Sequence, residues 1–145
     1  MKKLLLLITA IAFIQCFSYS QTNVKILDIS VSPVLKIDTI TGQPINSNEI
    51  LNVVFKVKNI DQADKVNILF GTAQDVGDVL NVQADVIENS GTYYISYNGF
   101  QNAVNSYVAQ TEIQLTPQQA TDYAFITLYI EDTSSQETTR LYFIK

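Results

Sequence analysis

The stretch Tyr123-Ala-Phe-Ile-Thr-Leu-Tyr-Ile130, followed closely by Leu141-Tyr-Phe-Ile144, decides the fold class of this 145-residue chain. β-Branched and aromatic residues dominate both runs, and both alternating faces of the first run are apolar, as in a strand buried within a sheet. The intervening residues 131–137 are rich in side chains that bond their own backbone, which indicates a turn. The two runs therefore predict a closing β-hairpin, and strands this apolar need a second sheet to cover them.

The residues just before this hairpin carry a resemblance to a known family. Leu115-Thr-Pro117 leads through Gln118 to Asp122 into Tyr123. This arrangement resembles the Leu-x-Pro...Tyr signature at one corner of fibronectin type III and related immunoglobulin-like domains. In that family the tyrosine hydroxyl bonds back to upstream backbone. The resemblance therefore implies an immunoglobulin-like β-sandwich in which Tyr123 pins a corner.

Strand patterns also occur in the first half of the chain. Ile50 to Asn59 alternates most cleanly, and its inward set is predicted to be Leu51, Val53, Phe55 and Val57. Val24 to Val31 is predicted to be a half-buried strand with Leu27, Ile29 and Val31 on its inner face. Pro33 interrupts it before Val34 to Ile37, as is common in an edge strand.

The middle of the chain admits two interpretations. The apolar residues between 76 and 87 could share one helical face, but Gly77, Asn81 and four valines in this segment favour a strand. Asn89-Ser-Gly91 and Asn98-Gly99 are turn signals, and the second is the stronger, because both of its residues accept positive φ. We therefore predict an all-β fold, an antiparallel sandwich of about seven to eight strands, with residues 21–145 as one domain, which the resemblance implies to be immunoglobulin-like.

The N-terminus has the pattern of a secretory signal peptide. Met1-Lys-Lys3 is basic, Leu4 to Phe17 is apolar, and Ser18-Tyr-Ser20 is a small-x-small ending before Gln21. Residues 1–20 are therefore predicted to be removed on export, with a periplasmic, cell-surface or secreted destination. An alternative is a lipoprotein anchored through Cys16. A membrane anchor is less favoured, because the apolar run is shorter than the roughly 20 residues of a span.

Charge and composition exclude several function classes. Without Lys2 and Lys3 the chain has seven basic and fourteen acidic residues, so nucleic acid and anionic membrane surfaces are poor partners. The chain has no histidine, and its one cysteine lies in the predicted signal peptide. Serine–histidine catalysis, thiolate nucleophiles and sites for transition metals are therefore not expected. We predict no catalytic residues and no cofactor, and a small hydrolase with paired carboxylates is the least favoured function.

Two groups of residues are candidates for a site. The first is the aromatic cluster, defined as Tyr93, Tyr94, Tyr97 and Phe100, around the Asn98-Gly99 turn. Strand alternation places Tyr93 and Tyr97 on one face and Tyr94 on the other, so part of the cluster should point outward. Outward aromatics could stack on sugar rings or anchor a protein partner, and the alternative is ordinary cross-strand packing.

The second group comprises four carboxylates near the ends of the Lys65 to Phe70 strand: Asp61, Asp64, Asp75 and Asp78. They are weak candidates for Ca²⁺ ligands, because aspartate also favours turns by bonding its own backbone.

These observations favour a non-catalytic, exported, immunoglobulin-like module for adhesion, envelope or accessory protein interaction. The alternative function is a carbohydrate-binding module that uses the aromatic cluster.

Overall fold

A computed structural model describes residues 24–37, 39–132 and 137–145. The predicted signal peptide with Cys16, and residues 133–136 of the predicted turn, lie outside these ranges. The strands are β1 (Lys25–Ile37), β2 (Pro44–Lys58), β3 (Ala63–Gly71), β4 (Leu80–Asn89), β5 (Thr92–Tyr97), β6 (Phe100–Ala103), β7 (Val108–Gln114), β8 (Phe125–Asp132) and β9 (Glu137–Ile144). A 3-10 turn (Ile60–Gln62) precedes β3, and a short helix, α1 (Pro117–Asp122), precedes β8.

The nine strands form two antiparallel sheets. The smaller sheet has the order β1-β2-β7, and the larger has the order β6-β5-β4-β3-β8-β9. The chain passes from the smaller sheet to the larger after β2, returns for β7, and crosses again to end in the β8–β9 hairpin. The predicted all-β antiparallel sandwich is confirmed.

The core lies between the two sheets and follows the alternation of the strands. The predicted inward set of β2 is confirmed, because Leu51, Val53, Phe55 and Val57 are all buried. Each fully buried aliphatic or aromatic side chain contributes about 1.5–3 kcal/mol relative to exposure. The largest side chains with no more than 1% exposure include Phe55, Phe70, Ile68, Ile95, Ile113, Ile126, Leu128 and Ile130.

β8, which contains most of the apolar run Tyr123 to Ile130, is an interior strand of the larger sheet. β8 lies between β3 and β9, and its inward residues are Ile126, Leu128 and Ile130. Thr127, on the opposite face, is only 1% exposed and accepts a hydrogen bond from the backbone N–H of Asp75. A loop of residues 72–79 therefore lies over the outer face of this sheet at Thr127, in agreement with the absence of charged residues from 125 to 130 on either face of β8.

β1 is an edge strand of the smaller sheet, in agreement with the predicted role of Pro33. Its register with β2 breaks between Pro33 and Leu35 and also between Ile26 and Asp28. The second break reverses the alternation, so Val24 and Ile26 are buried whereas Leu27 is 50% exposed. The prediction that Leu27 faces inward was therefore wrong, because a period of two cannot anticipate a bulge.

Residues 76–87, for which the sequence favoured a strand over a helix, form a strand only from Leu80 onward. β4 joins β5 through Ser90 and Gly91, which have φ values of 53° and 79°. Residues 76–79 belong instead to the loop that begins after Gly71. A Cβ added at Gly71 would lie 1.7 Å from the carbonyl oxygen of Val76, so the loop returns close to its own start.

Tyr123 lies between α1 and β8, and its buried ring holds this connection against the core. The ring is 6% exposed and packs edge-on against Phe70 with centroids 5.4 Å apart. The ammonium of Lys145 lies 4.2 Å from the ring centroid, and burial raises the pKa of the Tyr123 hydroxyl. In the described part of the chain no hydrogen-bond partner is found for this hydroxyl, so the expected bond to upstream backbone is not formed there.

Candidate ligand-binding cleft

The hairpin that carries the aromatic cluster is closed by the predicted two-residue turn. Asn98 and Gly99 have φ values of 50° and 80°, the positive pair that matches the twist of a tight hairpin. Tyr97 and Phe100 face each other directly across this turn. The turn therefore fixes the register of β5 and β6 and places these two aromatic residues as cross-strand partners.

The two faces of β5 divide the aromatic cluster as alternation predicts. Ile95 is fully buried and marks the inner face, which Tyr93 and Tyr97 share. Tyr94 lies on the outer face, where its cross-strand partners are Ile87 and Ala103. The structure thus brings only part of the predicted cluster together.

Within the inner-face set, exposure differs sharply. Tyr97 is half-buried and packs against the hydrophobic core. Phe100 is 74% exposed although it is a large apolar residue. The pair therefore has one member that is held by the core and one that is available to a ligand.

A cleft of about 390 Å³ opens beside this pair, in the range of volumes that small-molecule and peptide ligands occupy. It lies between the hairpin of the larger sheet and the end of the smaller sheet. The lining residues are Ile50, Tyr97, Asn98, Phe100, Asn102, Thr111, Glu112 and Gln114.

The lining offers hydrogen-bonding groups around an aromatic wall. Asn98 and Asn102 provide amides from the hairpin, and Glu112 and Gln114 provide a carboxylate and an amide from β7. Among the lining residues that the structure describes, Glu112 is the one carboxylate. The cleft can therefore accept and donate hydrogen bonds next to a stacking surface, but it lacks the pair of carboxylates that glycoside hydrolysis requires.

Sequence reasoning missed the half of the cleft that comes from the smaller sheet. β7 shows clean alternation, with Ala109, Thr111 and Ile113 buried and the residues between them exposed. That pattern identifies Glu112 and Gln114 as surface residues, but it does not predict which residues of other strands lie beside them. Their position beside Phe100 depends on the crossing of the chain between sheets after β6.

The four aspartates lie in two separate places at opposite ends of β3. Asp61 accepts a hydrogen bond from the side chain of Gln62, and Asp64 is exposed near the start of β3. Asp75 and Asp78 lie in the 72–79 loop after the end of β3. No group of three or more metal-binding side chains occurs among the described residues.

Asp75 and Asp78 hold the 72–79 loop in place. The carboxylate of Asp78 accepts bonds from the backbone N–H and hydroxyl of Thr72 at 2.9 and 2.7 Å, and these bonds lower its pKa. Asp75 accepts a 2.8 Å bond from the Tyr142 hydroxyl and forms an ion pair with Arg140. The bonds from Tyr142 and Arg140 lower the pKa of Asp75. Both carboxylates are thus engaged in protein contacts that close the loop and tie it to β9.

The same outer face carries a row of polar side chains across the strands. Asn67 is only 2% exposed; its amide donates to Glu131 at 2.9 Å and accepts from Gln83 at 3.1 Å. The Arg140 guanidinium lies 4.9 Å from the centroid of the Tyr129 ring. These side chains bond or pack against one another, so we assign them a structural role.

Comparisons with protein-family models, with curated proteins and with solved structures found no match. Within the described part of the chain, no helix has the length and apolar character that a membrane span requires.

Proposed function

We propose that this chain is a non-catalytic, exported interaction module of the immunoglobulin-like type, and that its ligand surface is the cleft beside Tyr97 and Phe100. The observation that carries the proposal is the 74% exposure of Phe100 at the rim of a concave, hydrogen-bonding surface. An exposed aromatic next to a cleft offers a large contact area, and its side chain loses little conformational entropy on binding.

The composition of the cleft supports binding without catalysis. The chain has no histidine, and the lining residues within the described ranges include a single carboxylate, Glu112. Glycoside hydrolysis by carboxyl groups needs a second one within about 5–10 Å. None of the lining residues that the structure describes is a cysteine or a lysine.

Export is supported by the basic, apolar and small-x-small segments of residues 1–20. Mass spectrometry of the protein recovered from an expressing bacterium tests this part directly. A chain that begins at Gln21 is expected. Lipid on Cys16 would replace the free form with an anchored one, and an intact Met1 start would contradict export.

Adhesion, envelope or accessory contact with another protein is the favoured role. Carbohydrate binding is the second candidate, because the ring of Phe100 lies in the same cleft as the amides of Asn98 and Asn102. Sugars combine an apolar ring face with hydroxyl groups, so they suit an aromatic side chain flanked by amides.

One pair of binding screens tests the cleft. Wild-type protein is screened against a displayed library of random linear heptapeptides and against an array of neutral and acidic glycans. The same screens are repeated with Phe100→Ser. We expect Phe100→Ser to reduce binding of the selected ligands at least tenfold.

The matched control is Tyr107→Ser. Tyr107 is also exposed, at 62%, but it does not line the cleft. This variant should bind like wild type. Equal losses in both variants, or no loss in either, would contradict the assignment of the cleft.

A further inference from the structure

β7 presents an open backbone edge to the cleft. In the described part of the chain its one strand partner is β2, with Ile50–Gln114 and Lys56–Val108 as the ends of the register. The carbonyl of Tyr107 accepts from the N–H of Val57, and the N–H of Leu115 donates to the carbonyl of Glu49. Odd-numbered residues of this segment therefore direct their backbone groups toward β2.

Even-numbered residues consequently direct their backbone groups away from β2, because the direction alternates along an antiparallel strand. Val108 confirms this parity, since it exchanges both of its backbone bonds with Asn105 on the side away from β2. Gln110, Glu112 and Gln114 share that direction. Among the described residues, no backbone hydrogen bond reaches the N–H or carbonyl of these three.

This edge has few of the features that usually prevent strand addition, and Glu112 is the one charged side chain of β7. β7 contains no proline, lysine or arginine, and its register with β2 has no bulge. β1, at the other edge of the same sheet, has Pro33 and two register breaks. The contrast shows that one edge of the smaller sheet is protected and the other is open.

The open edge coincides with the cleft. Thr111 projects from the inner face of β7, whereas Glu112 and Gln114 project from its outer face, and all three line the cleft. Because residues from both faces of β7 line the cleft, the cleft must run along the backbone edge of β7. Tyr97 and Phe100 then form part of the opposite wall.

We propose that the cleft binds an extended polypeptide segment, which adds to the smaller sheet as a fourth strand beside β7. This inference rests on the proposed function and names its ligand class. Unpaired N–H and carbonyl groups recur every second residue along β7, about 6.6–6.8 Å apart, which is the repeat of an extended peptide. The hydroxyl groups of a sugar chain can also donate and accept, but they do not form the paired N–H and carbonyl groups of an extended peptide.

The side chains beside the open edge of β7 determine which peptide side chains the cleft would accept. The side chains of an added strand alternate between the two faces, as those of β7 do. One set meets the aromatic wall of Tyr97 and Phe100 and is expected to be apolar. The other set meets Glu112 and Gln114, and Glu112 favours a basic residue there. The chain as a whole is acidic, with a net charge of −5, which also favours a basic segment.

The probe for the test is the blocked heptapeptide Lys-Val-Lys-Val-Lys-Val-Lys, whose charge keeps it monomeric. Its affinity is measured for the exported protein and for two variants at one position. Glu112→Ala removes the side chain but keeps the N–H that faces the cleft. Glu112→Pro also removes that N–H, while leaving the bonds of β7 to β2 intact, since these involve the odd-numbered residues.

We expect Glu112→Pro to bind the peptide at least tenfold more weakly than Glu112→Ala. In isotope-labelled wild-type protein, the amide protons of Gln110, Glu112 and Gln114 should exchange more slowly when the peptide is added. This second measurement does not depend on how well the proline variant folds. Amide exchange at these three positions that is unchanged by saturating peptide, or a failure of the peptide to bind wild type, would overturn strand addition.

The outcomes separate this inference from the proposed function. If a glycan binds in the cleft and is lost in Phe100→Ser but is equally retained by Glu112→Ala and Glu112→Pro, the cleft is the site and strand addition is wrong. If Phe100→Ser changes no interaction found in either screen, the proposed function itself is wrong.

Discussion

Tyr97 and Phe100 are direct partners across a two-residue turn, yet the core holds one ring and solvent surrounds most of the other. The difference in exposure arises because Phe100 belongs to β6, the edge strand of the larger sheet, and no further strand of the described chain continues the sheet beyond it. The same turn therefore supplies both a rigid support and an exposed contact.

This relationship predicts opposite effects of the same substitution at the two positions. Tyr97→Ser should lower the free energy of unfolding by about 1.5–3 kcal/mol, because it removes a ring that packs on the core. Phe100→Ser should change it by less than about 0.5 kcal/mol, as is usual at exposed positions. Urea unfolding of both variants provides the measurement. Equal losses of 2 kcal/mol or so would mean that Phe100 is a core residue.

Tyr123 should tolerate loss of its hydroxyl but not loss of its ring. Tyr123→Phe keeps the edge-on contact with Phe70 and the position under Lys145, so its denaturant midpoint should stay close to that of wild type. Tyr123→Ala should cost about 3–5 kcal/mol, as for other truncated buried aromatics. A loss of about 1–3 kcal/mol in Tyr123→Phe would indicate a buried hydrogen bond from the hydroxyl.

Asp75 should make the stability of the protein sensitive to acid. Hydrogen bonds from Tyr142 and Arg140 lower its pKa below the ordinary value of 3.8. A carboxylate with a lowered pKa in the folded state stabilises the fold above its unfolded-state pKa, and this contribution is lost as the pH falls through the folded-state value. The melting temperature of wild type should therefore drop more than that of Asp75→Asn between about pH 5 and pH 2.

The matched control for this prediction is Asp64→Asn, at the opposite end of β3 from the 72–79 loop. Because this variant keeps the contacts of Asp75 with Tyr142 and Arg140, it should keep the acid sensitivity that those contacts cause. If the Asp75→Asn profile also ran parallel to wild type, the contacts of Asp75 would have no part in acid sensitivity.

Gly71 should be the least replaceable glycine in the described chain. An alanine Cβ would lie 1.7 Å from the Val76 carbonyl oxygen, which is backbone and cannot rotate away. Gly71→Ala should therefore cost more than about 2 kcal/mol through overpacking, measured by urea unfolding. Gly77→Ala is the control, since its Cβ would meet the flexible end of Leu69 at 3.0 Å and should be accommodated at smaller cost. A smaller loss for Gly71→Ala than for Gly77→Ala would contradict this account of the loop.

Local sequence patterns were enough to predict much of this fold. Leu51, Val53, Phe55 and Val57 follow a period of two, and that period alone identifies the inner face of β2. Asn98-Gly99 predicts its turn because the required backbone angles belong to the two residues themselves. Leu27 shows the limit of the method, since a bulge arises from pairing with another strand and leaves no periodic signal.

The candidate site was only half predictable for the same reason. Phe100 belongs to a hairpin whose residues are neighbours in sequence, so its pairing with Tyr97 could be anticipated, but its exposure follows from the position of β6 at the edge of the larger sheet. Glu112 and Gln114 reach the cleft only because β7 leaves the larger sheet and joins β2, and pairing between distant segments depends on the packing of the whole chain.

By itself, the sequence determined that this protein is built from alternating strands and tight turns, without histidine and with acidic residues in excess, because these properties belong to single residues or short segments. The tertiary structure alone decided that β7 meets the β5–β6 hairpin to form a cleft, and that the 72–79 loop is tied to β9 on the outer face of the larger sheet through Asp75 and Arg140. These two arrangements join residues that are far apart in the chain, and their energy comes from contacts that exist only after the two sheets have packed.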